Sequence, residues 1–312
     1  MPACGCGSDL MRARRLPHRL TGLLSTRFLS TGLLLTGLVL AAPPSASAGD
    51  GPRRIVSMNL CADELLLRLA PPGRLVSVTW LAAGPAAIDP AAAQGLVLNH
   101  GRAEEIARLA PDLVVAGRYT TLTTTQMLRR AGIPVLLLDE ATSLAGIRSQ
   151  VTSLAAAVGN PAAGRKMLDA MDRMLGEATL DAKDTPLPGV VVLRPGGGVA
   201  GAGTLQDEIL AAAGLRNLAP DAPVDGDGRI GLERLLRLKP DLLVLDSDGD
   251  APPALAREVL DHPAFRARAA GMAITSLPAA LWVCPGPWVA EAVGRLSAAR
   301  RSLAGRQRGS RS

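Results

Sequence analysis

Aromatic rings and guanidinium groups are the side chains through which this sequence could handle a ligand. Aromatics are scarce, with three Trp, two Phe and one Tyr in 312 residues, so any stacking surface must use a few identifiable positions. Trp80 closes the run RLVSVTW, Arg118 and Tyr119 follow PDLVVAG, Arg194 lies at the end of GVVVLRP, and Trp282 follows shortly after MAITSL. Each run reads as a buried strand. Trp80, Arg118, Tyr119, Arg194 and Trp282 are therefore expected at the carboxyl ends of strands, where an open α/β sheet binds its ligands. Three aromatics and two cations suit a large, partly apolar ligand carrying negative or strongly polar groups. Taken singly, each has a plainer reading, with Trp80 and Trp282 as core residues and the arginines as surface.

Catalytic and metal chemistry find little support. Beyond the first 48 residues the histidines are His100 and His262, each isolated, and neither H-x-x-H nor C-x-x-C spacing occurs. No G-x-S-x-G elbow or paired-acid site stands out, so no catalytic residue, metal site or resident cofactor is expected. Gly196-x-Gly198-x-x-Gly201 formally matches a dinucleotide fingerprint between a strand and a helix, and Asp221 lies twenty residues beyond its last glycine. That acid falls in a Pro/Asp/Gly loop and not at a strand end. A loop lining a cleft is the better reading of Gly196–Gly203, with an exported nucleotide-dependent α/β enzyme as the alternative.

The elements that must position these residues are read from a repeat. AEEIARLAPDLVVAG (103–117) and LERLLRLKPDLLVLD (232–246) superpose at a constant offset of 129, Glu104 on Glu233 and Pro111-Asp112 on Pro240-Asp241. Each copy is a short amphipathic helix stopped at a proline and followed by an unbroken apolar strand, which is half of a parallel βαβ unit. L-x-P-D-L-V is also a common helix-to-strand junction, so convergence is the competing account. From Ser143 to Leu180 apolar residues recur at helical spacing, broken near Gly159-Asn160-Pro161. The expected fold is α/β, with two Rossmann-like lobes carrying parallel sheets, a long connecting helix and a ligand cleft between lobes. The expected bounds are 49–142 for the first lobe, 143–180 for the helical connector, 181–304 for the second lobe and 305–312 for a disordered tail.

Residues 1–48 read as an export signal. Five arginines precede the apolar run TGLLLTGLVLAA, and Ala46-Ser47-Ala48 offers a cleavage site, with Met1 or Met11 as the start. The apolar run is short for a membrane span. The leader holds five basic residues and one acidic residue, so a balance of 34 against 28 falls to 29 against 27 once it is removed. That near-neutral chain lacks the basic face that nucleic-acid binding requires. Cys61 and Cys284 then remain, a disulfide candidate in an oxidising compartment or else two buried thiols.

Taken together, the leader, RIVSMN at 54–59, the two E-x-x-x-x-x-x-P-D-L segments, the helical connector and WVCPGPWVAEA at 282–292 resemble the periplasmic substrate-binding proteins of ABC importers with a helical backbone. That group serves cobalamin, ferric siderophores, haem and some metals. The resemblance implies a monomeric, non-enzymatic periplasmic receptor that captures cobalamin or a ferric siderophore for an ABC permease dimer and its ATPase. It also implies that Glu104 and Glu233, one on each lobe, dock onto the permease, although the neighbouring Glu105 leaves a one-residue ambiguity. Metal receptors of the group use several His and acidic residues, which this chain lacks. Haem receptors use a Tyr or His ligand, so Tyr119 keeps haem as the alternative ligand.

Overall fold

Among the described residues of the computed structural model, 51–119, 122–179, 187–194, 197–221, 228–246, 262–268 and 272–309, the strands form two sheets, both wholly parallel. The residues read as an export signal, 1–48, lie outside these residues. In the first lobe β1 (Ile55–Ser57), α1 (Leu60–Leu69), β2 (Leu75–Thr79), β3 (Val97–Asn99), α2 (Ala103–Arg108), β4 (Leu113–Gly117), α3 (Leu122–Arg130) and β5 (Val135–Leu138) build a sheet of order β3-β2-β1-β4-β5. After α4 (Leu144–Ala157) and α5 (Pro161–Thr179) come β6 (Gly189–Leu193), α6 (Leu205–Ala212), β7 (Arg216–Asn217), α7 (Leu232–Leu238), β8 (Leu242–Asp246), α8 (Pro263–Arg268) and β9 (Ala273–Leu277). These build the second sheet, of order β7-β6-β8-β9. The chain closes with α9 (Ala280–Val283) and α10 (Val289–Gly309).

The offset of 129 carries β4 onto β8 end for end, and it carries the face of each side chain too. Val115 and its counterpart Val244 both face one core that runs through both lobes, whereas Val114 with Ala116 and Leu243 with Leu245 face separate outer clusters. Alternation with both faces covered is the signature of a parallel sheet between helical layers, and it explains why both strands are apolar without interruption. The inner faces of the two sheets meet α1, α4, α5, α6 and α10, so Leu65, Val151, Met171, Ile209 and Val293 belong to a single packed body.

The connector is two helices and not one. Ser143 caps α4 by accepting from Gly146 N at 2.9 Å. The chain then turns at Gly159 in the left-handed region at φ +75°. Asn160 fixes this turn to the first lobe, its Nδ2 donating to Leu69 O at 3.1 Å. From there α5 packs against α1, α4, α6 and α10, touching both lobes along one rod.

The aromatic segment near the end of the chain is structural. Trp282 is 2% exposed, and its indole Nε1 donates to Asp246 Oδ1 at 3.0 Å, tying α9 to the end of β8. Trp288 folds back so that its Nε1 donates to Cys284 O at 2.8 Å, and the Arg68 guanidinium lies 5.3 Å over its ring. Gly286 is required for that fold, since a Cβ there would fall 2.2 Å from the Trp288 ring. Cys61, at the start of α1, is disulfide-bonded to Cys284, with Cα atoms 4.9 Å apart. The last helix, α10, runs on through Gly305, a residue that weakens a helix by only about 1 kcal/mol, to Gly309.

Candidate functional site

The carboxyl ends of the first sheet are held in place by two buried polar side chains. Asn99, fully buried at the end of β3, donates from Nδ2 to Ser57 O at 2.8 Å and Val78 O at 2.9 Å, so it ties the ends of β1, β2 and β3 together. Asp63, buried in α1, accepts from Thr79 N and from Thr79 Oγ1, the latter at 2.5 Å. Burial pushes the Asp63 carboxyl up to about 6, although hydrogen bonds from Ser57 and Thr79 pull the other way. Both anchors sit directly beneath the residues that follow these strands.

Trp80 comes next after Thr79 and is 53% exposed. Its ring stacks on His100, the residue after Asn99, with centroids 6.4 Å apart and planes 20° from parallel. Glu105 in turn orients His100, accepting from its backbone N at 2.8 Å with the ring Nδ1 3.4 Å away. Partial burial raises the Glu105 carboxyl, but the bonds from His100 outweigh it and hold the group below the usual range. The result is an exposed two-ring plate at the end of β2 and β3.

Beside it, the ends of β1, β4 and β5 enclose a pocket of about 200 Å³, lined among others by Asn59, Arg118, Tyr119, Asp139, Glu140 and Gln150. Cys61 of the disulfide and Pro285, from beyond the second sheet, complete its wall. Arg118 forms a two-pronged ion pair with Asp139, Nε to Oδ1 and NH2 to Oδ2, the second bond at 2.8 Å. The pair raises the pKa of the guanidinium and lowers that of the carboxyl. Tyr119 is 77% exposed.

Arg118 and Tyr119 thus share one pocket, with Trp80 on the same edge of the lobe. Arg194 stands half-buried at the end of β6 in the second lobe, and its guanidinium makes no hydrogen bond or ion pair among the described residues. Trp282 is corrected from a cleft residue to a core residue, because its indole is enclosed and its single donor is used by Asp246. Glu104 and Glu233 both lie exposed in the first turns of α2 and α7, where the helix dipole favours a carboxylate. Glu233 is 90% exposed and reaches Arg237 at 3.4 Å.

Sequence reasoning missed Asn99, His100, Asp63 and Asp139. Asp139 alone carried a usable signal, since it ends the run IPVLLLD just as Arg118 follows LVVAG.

The glycine loop folds against the second sheet. Arg194 N donates to Gly198 O at 2.8 Å, Val199 N to Gly228 O at 2.9 Å and Ile230 N to Gly197 O at 2.9 Å. Asp207 already caps the start of α6, accepting from Gly203 N at 2.9 Å and from Asn217 Nδ2 at 3.0 Å. A resident carboxylate stands where a dinucleotide would need its pyrophosphate. Among the described residues, no group of three or more His, Cys, Asp or Glu is gathered to hold a metal ion.

A family model described as periplasmic binding protein matches residues 55–271. A cobalamin-binding protein of Halobacterium salinarum is 28% identical over 214 residues, which is 66% of this chain and 57% of the relative, so the chain spans little more than half of that protein's length. Among solved structures, the apo periplasmic heme-binding protein RhuT of Roseiflexus sp. RS-1 is 27% identical, with a TM-score of 0.64 over 81% of this chain and 100% of that one. The periplasmic vitamin B12 binding protein BtuF of Vibrio cholerae is 19% identical, with a TM-score of 0.62 over 81% of this chain and 98% of that one, a likeness of fold.

Proposed function

The chain belongs to the periplasmic binding protein family, as a substrate-binding protein of an ABC transporter and not an enzyme, and from that premise we propose that its ligand is cobalamin. The observation that carries this reading is the pairing of an exposed ring plate, Trp80 on His100, with a small pocket that carries charged and amide side chains in a largely apolar wall. A corrin offers a broad apolar face to the first and polar side arms to the second. The cobalamin-binding relative from Halobacterium salinarum supports the same assignment.

Capture takes place in the periplasm after removal of the leader, and delivery is to an ABC permease dimer with its ATPase. Glu104 and Glu233 are the docking groups: two exposed carboxylates at equivalent places on two lobes suit a symmetric partner with paired cations. Arg194 completes the ligand site from the second lobe.

Haem is the second reading, and a specific observation favours it. The exposed phenol of Tyr119 stands at the pocket, where it could ligate iron, and the heme-binding RhuT is 27% identical.

One titration tests both readings. Trp282 and Trp288 are buried, so quenching of the exposed Trp80 reports occupancy of the site. Purified protein is titrated with cyanocobalamin, hemin and a ferric hydroxamate siderophore. Saturable quenching by cyanocobalamin, lost in Trp80→Ala, is the expected result. Saturation by hemin alone, with a charge-transfer band abolished in Tyr119→Phe, moves the assignment to haem. Saturation by the siderophore alone removes both macrocycles.

A further inference from the structure

The pocket at the ends of β1, β4 and β5 is too small for a whole chelate. At about 200 Å³ it holds one side arm, whereas sites that enclose a drug-sized ligand run to roughly 300–1,000 Å³. What it offers that arm is set by charge. One cation, Arg118, and two carboxylates, Asp139 and Glu140, line it. The charge of that cation is already balanced, because its Nε and NH2 donate to the two oxygens of Asp139. Gln150 secures the Asp139 backbone by donating from Nε2 to its carbonyl oxygen at 2.6 Å. Glu140 makes no ion pair among the described residues, so an incoming group meets a neutral pair and an uncompensated carboxylate.

We propose that this pocket selects a neutral carboxamide arm and rejects a carboxylate arm, so that the Arg118–Asp139 pair with Glu140 favours amide-fringed macrocycles over acid-fringed ones. An amide donates its N–H groups to the carboxylates and accepts from Tyr119 without disturbing the pair. A carboxylate adds a further negative charge to a pocket whose one cation is already balanced by Asp139 and whose Glu140 is unpaired among the described residues. Discrimination of this kind comes from a repulsive element as much as from an attractive one. The inference rests on the reading that these strand ends receive the captured ligand.

The test uses cyanocobalamin and its three propionamide-derived monocarboxylic acids, in each of which a single peripheral amide has become an acid. Affinities are measured by Trp80 quenching for the native chain and for Asp139→Asn. At least one of the acids should bind about tenfold more weakly than cyanocobalamin, as a single unfavourable charge contact of about 1.4 kcal/mol requires. In Asp139→Asn, where Arg118 is released, that ratio should close or invert. Glu140→Gln is a second, independent variant, and it should narrow the same ratio if Asp139→Asn does not fold. Equal affinity for all three acids and cyanocobalamin overturns the inference while leaving the capture reading intact, and so does a ratio that neither variant changes. If cyanocobalamin itself does not bind, the capture reading falls and the inference falls with it.

Discussion

Asp112 and Asp241 make the same bond in the two lobes. Asp112 accepts from the backbone of Arg53 and Arg54 at 2.7 and 2.8 Å, at the edge of β1, and Asp241 accepts from Gly189 N at 2.7 Å, at the edge of β6. Two residues earlier in each copy, Ala110 and Lys239 take φ of +46° and +48°, the two non-glycine residues in the left-handed region among the described residues. The repeat is therefore a device: a helix end bent left-handed, a proline that prevents continuation, and a carboxylate that starts the neighbouring strand.

The left-handed bend gives the first prediction. An alanine in that region costs about 1–2 kcal/mol, which glycine avoids at an entropy cost of about 0.5–1 kcal/mol. Ala110→Gly should therefore raise the stability of the protein by roughly 0.5–1 kcal/mol, seen as a higher urea midpoint at unchanged slope.

Docking can be separated from capture. Reversing charge at Glu104 and Glu233 together, each to Arg, should abolish uptake into cells or permease vesicles while cyanocobalamin affinity stays within about twofold, since neither residue lines the pocket. A collapse of affinity would make them cleft or folding residues.

The disulfide closes a loop across a separation of 223 residues. Chain entropy alone assigns such a closure about 5 kcal/mol, and native disulfides contribute about 2–5 kcal/mol in practice. Cys61→Ala with Cys284→Ala should lower the denaturation midpoint accordingly, and reductant should shift the native protein but not the double variant.

Asp63 predicts a pH dependence with a definite sign. Its folded pKa, about 6, lies above the ordinary 3.8 because burial disfavours the charged form. The folded state thus holds this proton more tightly than the unfolded chain does. The contribution is fully present below about pH 3.8 and is lost as pH rises through 6, a change on the order of 3 kcal/mol. Asp63→Asn should flatten stability between pH 4 and 6 relative to the native chain in parallel denaturation series.

The lobes were legible because their strands are apolar on both faces and their helices are punctuated by proline, and both signals survive in a single sequence. Short edge strands carry neither. Val97–Asn99 is three residues long with its first two exposed, and Arg216–Asn217 is two residues long, held by pairing with β6 and not by its own pattern. Trp80, Arg118 and Tyr119 do stand directly after strands, as the apolar runs before them suggest. Trp282 also follows a strand, yet its indole is enclosed and bonded to Asp246, a contact that belongs to tertiary packing and not to local spacing. Asn99 and Asp63 act through bonds to backbone groups on other strands, which no local spacing encodes.

Cys284 comes after β9 in the chain, so its thiol is made only when the last strand of the second sheet already exists. While the first lobe is emerging, Cys61 has no native partner to meet. The bond therefore joins the first helix of the first lobe to a segment synthesised 223 residues later, and it can close only after nearly the whole chain has been made.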